Sequence, residues 1–208
     1  MQSITNFWHY FQQNHFVFLL FKEIPEAKIK KQFDLLLQKL HQYHRDLGLI
    51  ISYHDSTNAE LIVTANGNPY LFKEVQLLVY HAPVVKHWKI TAFLQPQTNL
   101  VPFLEGTDQP FSYFGVTLHI SKMYFLPLVC SEWPKELGIQ VLLNNYYVQQ
   151  NHPRLQEAVY TVLEHLVGEK SFANELYFID ITQLHQHHQD AIELYQLKLY
   201  VDLFYGSS

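Results

Sequence analysis

The densest run of chemistry-bearing side chains in this sequence is Leu184-His185-Gln186-His187-His188-Gln189-Asp190. Neutral imidazole is a good ligand for zinc, nickel or copper, so His185, His187 and His188 with Asp190 have the composition of a metal site. The run lies in a polar segment just ahead of a helix start, and histidine-rich tracts of this kind are compositional signals. No resident metal and no cofactor are therefore expected, and incidental capture of Ni or Zn during purification fits the tract better. His41 and His44 are three apart on a long helix and share a face. The His-Glu-x-x-His arrangement of zinc peptidases is missing there, because the spacing is shorter and no glutamate intervenes. His54-Asp55-Ser56 holds the residue types of a hydrolytic triad, yet neighbours on a turn do not point at one another. An Asx-turn closing a hairpin explains Asp55 and Ser56 instead. Cys130 is the only cysteine; with Leu128 and Val129 beside it, it reads as a small hydrophobe at a buried strand end rather than a nucleophile. One cysteine excludes an intramolecular disulfide and a Cys-rich zinc site.

Three further residues are candidates for a binding site. Glu169 follows the C-terminal stop of a helix, where exposed carbonyls disfavour an anion. It is expected to accept a hydrogen bond from a nearby amide such as Ser171 or Phe172; the competing reading projects it into a pocket beside His54 or His119. Trp8 and Trp133 are the indoles available to a partner, Trp133 because Ser131-Glu132-Trp133-Pro134 reads as a turn. Trp88 alternates with Lys89 and Thr91 and so faces the core. The chain has no Gly-x-Ser-x-Gly elbow and no nucleotide-binding glycine loop, and 7 Gly in 208 residues leave little for a phosphate cradle.

Composition narrows the partner class. Hydrophobic residues make up 48% and aromatics 15%, so the core is rich in rings, while only 16% of residues are charged. The formal net charge is -5, and the densest basic run is Lys28-Ile29-Lys30-Lys31. A nucleic-acid binder needs a basic stripe, which is lacking here. The longest apolar run near the start, Phe16 to Phe21, is too short for a signal core or a membrane span. A soluble protein of the reducing cytoplasm is the expectation.

The elements that must position these residues follow from periodicity. Ser3 or Thr5 caps a first helix through Phe7, Trp8 and Phe11 to about Asn14. Phe16 to Phe21 fits a strand or a helical continuation equally. Pro25 opens a helix with Ile29, Phe33, Leu36, Leu40, His44 and Leu47 on one face, stopped by Gly48. Leu49–Tyr53 and Glu60–Ala65 form a hairpin around Asp55-Ser56-Thr57-Asn58. A helix runs from Tyr70 to His81 before Ala82-Pro83, and a strand over Trp88–Phe93 follows. The proline-containing segment at about 95–112 reads as a mobile loop or an active-site flap. Strands are expected at Val116–Ile120, Met123–Cys130, Ile139–Leu143 and Leu176–Ile181, with Pro127 marking an edge or bulge. Pro153 opens a helix ending at Gly168, and Asp190 with Glu193 resembles a capping box for the last one.

Several of these segments recur in a familiar order. Phe7-Trp8 with Phe11 and Asn14, Thr64-Ala65-Asn66-Gly67, Ala82-Pro83 leading into Trp88–Phe93, and Gly168-Glu169 together resemble a family of uncharacterised bacterial α+β proteins over most of the chain. The family pattern has an Asp where Asn66 stands and an Arg where Leu94 stands. If those charged groups form a site in relatives, this chain has lost it. The resemblance implies the α+β fold and carries no activity.

The expected architecture is a single α+β domain over 1–208. A mixed, mostly antiparallel sheet of about five strands is covered on one face by the Pro25, Tyr70 and Pro153 helices. The leading functional expectation is a cytoplasmic binding or protein-interaction module without its own catalysis. The alternative is a small hydrolase with a His/carboxylate site that no motif announces. Expected partners are a protein or a small-molecule ligand, with a homo-oligomer open and neither nucleic acid nor membrane.

Overall fold

The computed structural model describes residues 1–20, 22–53, 55 and 57–206. The chain divides into two compact units, Met1–Leu94 and Gln95–Ser208. Among the described residues no helix is long and apolar enough to cross a membrane.

The first unit opens with α1 (Gln2–Asn14) and the short α2 (Phe16–Leu19). The helical option for the Phe16 run is therefore the one adopted, with Phe21 outside the described residues. α1 starts ahead of the expected caps, so Ser3 and Thr5 lie inside it, and the Thr5 hydroxyl donates to the Met1 carbonyl. α3 spans Glu26–His41, with Pro25 at its N-cap. It stops short of Gly48 because the Tyr43 and His44 amides both turn back to the Leu40 carbonyl, at 2.8 and 3.0 Å. Gly48 instead begins β1 (Gly48–Tyr53), at a point where a Cβ would come within 2.7 Å of Asn66 Oδ1. β2 (Ala59–Thr64) returns antiparallel, and β3 (Trp88–Ala92) lies parallel to β2 on its other side. Between them a tight turn places Asn66 (φ 53°) and Gly67 (φ 73°) in left-handed conformations, and the Asn68 amide closes it onto the Ala65 carbonyl. Asn68 then caps a 3-10 turn leading into α4 (Phe72–Tyr80).

The core of this unit is a cluster of rings and aliphatics from α1, α3, α4 and the inward side of the sheet. Trp88 is only 9% exposed. It meets Phe11 edge-on at 5.0 Å and donates its indole N–H to His15 Nδ1 at 3.1 Å. His15 must be neutral to accept, and burial, followed by the charge of His87, lowers its pKa.

The second unit begins with the proline-containing segment, which is tied down rather than free. The Gln97 amide donates to the His165 carbonyl at 3.0 Å, the short α5 (Val101–Leu104) forms inside it, and Phe103 stacks on Tyr195. β4 (Phe111–Tyr113) and β5 (Val116–Leu118) make a separate hairpin. The main sheet consists of β6 (Met123–Cys130), β7 (Trp133–Leu143), β8 (Phe178–Gln183) and β9 (Ile192–Glu193), in the order β8-β7-β6-β9. β6 and β7 are an antiparallel hairpin, and β8 runs parallel to β7 after a crossover through the short α6 (Tyr146–Gln149), α7 (Leu155–Val167) and α8 (Glu169–Glu175). α9 (Leu197–Gly206) closes the unit. Phe125, Leu137, Ile139 and Val141 face the buried side of α7 and Leu197 and Val201 of α9. The Asp190–Glu193 pair does not cap that last helix: Glu193 sits in β9 and accepts from the Gln196 side chain.

The expected α+β class holds, but the strands form sheets of three, two and four rather than one of about five. Phe93, at φ 67°, turns the chain out of the first sheet, and no strand follows until Phe111. Pro127 lies where β6 has lost its outer neighbour, since β9 pairs only with Tyr124 and Phe125. A proline with no amide to donate is tolerated on such an edge. The register shift comes further along, between Val129 and Cys130.

Candidate functional site

The outstanding surface lies at the far end of the β6–β7 hairpin. Along β7 the side chains of Leu137, Ile139 and Val141 are buried, so Glu136, Gly138 and Gln140 face the opposite side of the sheet. Register brings Leu128 of β6 and Phe178 of β8 level with Gly138 on that side. Gly138 is the low point: a Cβ there would approach the Leu128 carbonyl oxygen to 3.2 Å and the Phe178 Cβ to 3.3 Å. Its missing side chain leaves the floor of a groove of about 440 Å³, walled by Leu128, Trp133, Tyr177 and Phe178. Trp133 is 61% exposed and Phe178 59%. Apolar groups left this open on a folded protein mark a contact site when they are contiguous.

The charged side chain lining the groove is acidic. Glu136 lines it, and neither lysine nor arginine does. Below it the Tyr205 hydroxyl donates to the Glu175 carbonyl at 2.9 Å and receives the Leu137 amide at 3.4 Å. Burial raises the Tyr205 pKa, and Tyr177, Glu175 and Glu136 raise it further, against the Leu137 hydrogen bond. Glu136, which lines the groove, is thus among the carboxylates whose charge reaches this hydroxyl. Glu175 Oε2 is buried with no hydrogen-bond partner among the described residues.

The candidates named from sequence are scattered. Trp133 is in the groove, at the start of β7. Trp8 is 4% exposed in the core of the first unit, its indole N–H donating to the Leu78 carbonyl at 2.9 Å. Glu169 is fully buried; it follows the Gly168 stop of α7, as expected, and is also the first residue of α8, whose N-terminus favours its charge. The Phe172 amide goes to the Gly168 carbonyl at 2.9 Å. Glu169 also acts on its neighbour: burial first, and then the Glu169 charge, push the Glu164 carboxyl up to about 7.

The histidines do form a cluster, with ring centroids 4.3 Å apart for His187 and His188 and 5.2 Å for His185 and His187. The His185 and His187 rings are stacked, and His188 Nδ1 accepts from the His185 amide at 3.3 Å. Among the described residues no group of three or more His, Cys, Asp or Glu is placed to hold a metal ion. His44 lies beyond the end of α3, so it shares no helical face with His41. Asp55 gathers the Thr57 and Asn58 amides at 2.6 and 2.8 Å. The Asn58 side chain and then those turn contacts hold its carboxyl far below the ordinary range. That is the Asx-turn expected, while His54 and Ser56 lie outside the described residues. Cys130, expected to be buried, is exposed, because the end of β6 runs past the core into the rim of the groove.

Sequence reasoning missed Gly138, Tyr177 and Phe178. The available signal was the adjacent pair Tyr177-Phe178 at a strand start, where alternation can bury at most one ring. Comparison with family models, with curated proteins and with solved structures gives no match.

Proposed function

We propose that the chain is a protein-interaction module, without catalysis of its own, that works in the cytoplasm and contacts its partner through the Gly138 groove. The observation that carries this reading is the contiguous exposure of Leu128, Trp133, Tyr177 and Phe178 across three adjacent strands. Aromatic anchors of this kind dominate contact energetics. The exposed, unpaired Cys130 thiol at the rim suits a reducing compartment. The test is a selection from a random displayed peptide library on the immobilised full chain, repeated on a Trp133→Ser/Phe178→Ser variant. Peptides that bind the wild type and lose at least about tenfold on the variant are expected, the loss that 1.4 kcal/mol of contact energy gives. No binders, or binders indifferent to both rings, would overturn the reading.

A second reading, a small hydrolase, draws on one observation: a Glu164 carboxyl pushed up to about 7 beside buried Glu169. A carboxyl of that pKa is matched to general-acid work near neutrality. Turnover of ester or phosphoester substrates that vanishes in Glu164→Gln would move this reading ahead; turnover that survives the substitution, or none, would end it.

A further inference from the structure

We infer that the groove takes a segment of a partner protein in which apolar side chains flank a lysine or arginine. The cation is directed at Glu136, and the apolar groups are laid over Gly138 against Leu128, Trp133 and Phe178. This rests on the interaction reading above and specifies its partner.

The argument begins with shape. The walls are half-exposed, so the groove cannot enclose most of a small molecule's surface, as ligand pockets do. An extended or helical segment, which needs only one face covered, fits an open groove. Charge then selects among segments. Glu136 lines the groove, and no lysine or arginine is among the residues that do. The exposed Trp133 ring adds a face on which a guanidinium or ammonium group is attracted by the ring quadrupole. The net charge of -5 draws a basic segment in from a distance and repels an acidic one. A second copy of this chain is disfavoured as occupant, because two grooves meeting face to face would enclose two Glu136 carboxylates with no lysine or arginine from either lining to pair them.

The probes are the tightest peptides from the selection described above, each remade with its lysines and arginines replaced by glutamate. Binding is followed by fluorescence titration against wild type, Glu136→Gln and Glu136→Lys, whose unchanged melting would confirm that this exposed position tolerates substitution. The expected result is enrichment of Lys or Arg next to apolar residues and at least tenfold weaker binding after charge reversal of the peptide. Glu136→Gln should weaken the original peptide, and Glu136→Lys should recover part of the affinity of the reversed one. Selected peptides that need Trp133 but carry no cation, or that bind equally well after reversal, would overturn this inference and leave the interaction reading standing. Loss of all Trp133-dependent binding would remove both. Concentration-dependent dimerisation abolished by Trp133→Ala would also overturn it, in favour of self-association.

Discussion

The two compact units use their aromatic residues in opposite ways. In the first, Phe7, Trp8, Phe11, Phe18 and Trp88 converge on one another, and both indole N–H groups are satisfied internally. In the second, Trp133, Tyr177 and Phe178 crowd the end of a sheet and stay more than half exposed. The lesson is that aromatic richness has two physical meanings in one chain. Rings arranged edge-to-face inside a core supply stability, whereas rings on an open sheet surface remain available for contact with something else.

The sharpest way to break this contrast is to remove the central ring of the first unit. Trp88→Ala deletes edge contacts with Phe11 and Phe18 and leaves His15 without its donor. A loss of about 3–5 kcal/mol is expected in urea unfolding, from lost burial and the cavity left behind. A loss below about 0.5 kcal/mol would show that the ring cluster is not what holds this unit together.

The next effect belongs to the second unit and is a matter of backbone rather than rings. Gly168 joins α7 to α8 at φ 82° and ψ 153°, a region close to glycine-only. Gly168→Ala should cost about 1–3 kcal/mol, read from the same unfolding curves. Wild-type stability in this variant would mean that the helix junction relaxes without strain.

Both of these residues stood out in the sequence, and the reason is local. Helical spacing, the Asn66-Gly67 turn, the Asp55 turn and the Gly168 stop are set by residues within a few positions of each other, so periodicity and turn chemistry suffice. The Ser131-Glu132 turn was legible for the same reason, but Trp133, read as part of that turn, begins β7, which starts six residues ahead of the expected Ile139. The partition into separate sheets was not, because it depends on what happens to the chain after Phe93, where a non-glycine residue adopts a left-handed φ of 67°. The groove was not legible either. Its floor at Gly138 and its wall at Phe178 are 40 residues apart and meet only through the parallel β7–β8 register. Cys130 was misread because Leu128 and Val129 look like core, and only the register shift between Val129 and Cys130 reveals that the strand end has left it.

Titration gives a subtler contrast between the units, with opposite signs. His15 has a lowered pKa in the fold, from burial first and the charge of His87 second. Its contribution is complete above the ordinary histidine value and is lost as pH falls through the folded value. Glu164 is pushed the other way, up to about 7 by burial and by Glu169. The folded state therefore binds the extra proton, and stability is complete below the ordinary glutamate range and lost as pH rises through about 7. Glu164→Gln, which mimics the protonated acid, should be more stable than wild type by about 1–2 kcal/mol at pH 8, after allowance for solvent screening of a partly exposed group. No gain is expected at about pH 4.5, where an unperturbed carboxyl is half protonated. A Gln variant that is less stable at the higher pH would remove the strained carboxylate and with it this part of the contrast.

The smallest expected change in stability is the one on which the contrast finally depends. Trp133 is as large as Trp88, and a count of rings would assign the two equal weight. But Trp133 stands at the mouth of the β6–β7 hairpin with most of its surface already in water. Truncating it therefore returns little apolar area to solvent and opens no cavity, so Trp133→Ala should change unfolding by no more than about 0.5 kcal/mol. The same substitution should abolish binding of the selected peptides, because contact energy concentrates in a few exposed aromatic anchors. Stability and binding thus separate at Trp133, whereas the weight of Trp88, in the other unit, lies in stability. A destabilisation at Trp133 of the size expected at Trp88 would mean that this ring is a structural support of the hairpin, and the division between inward and outward aromatics would fail.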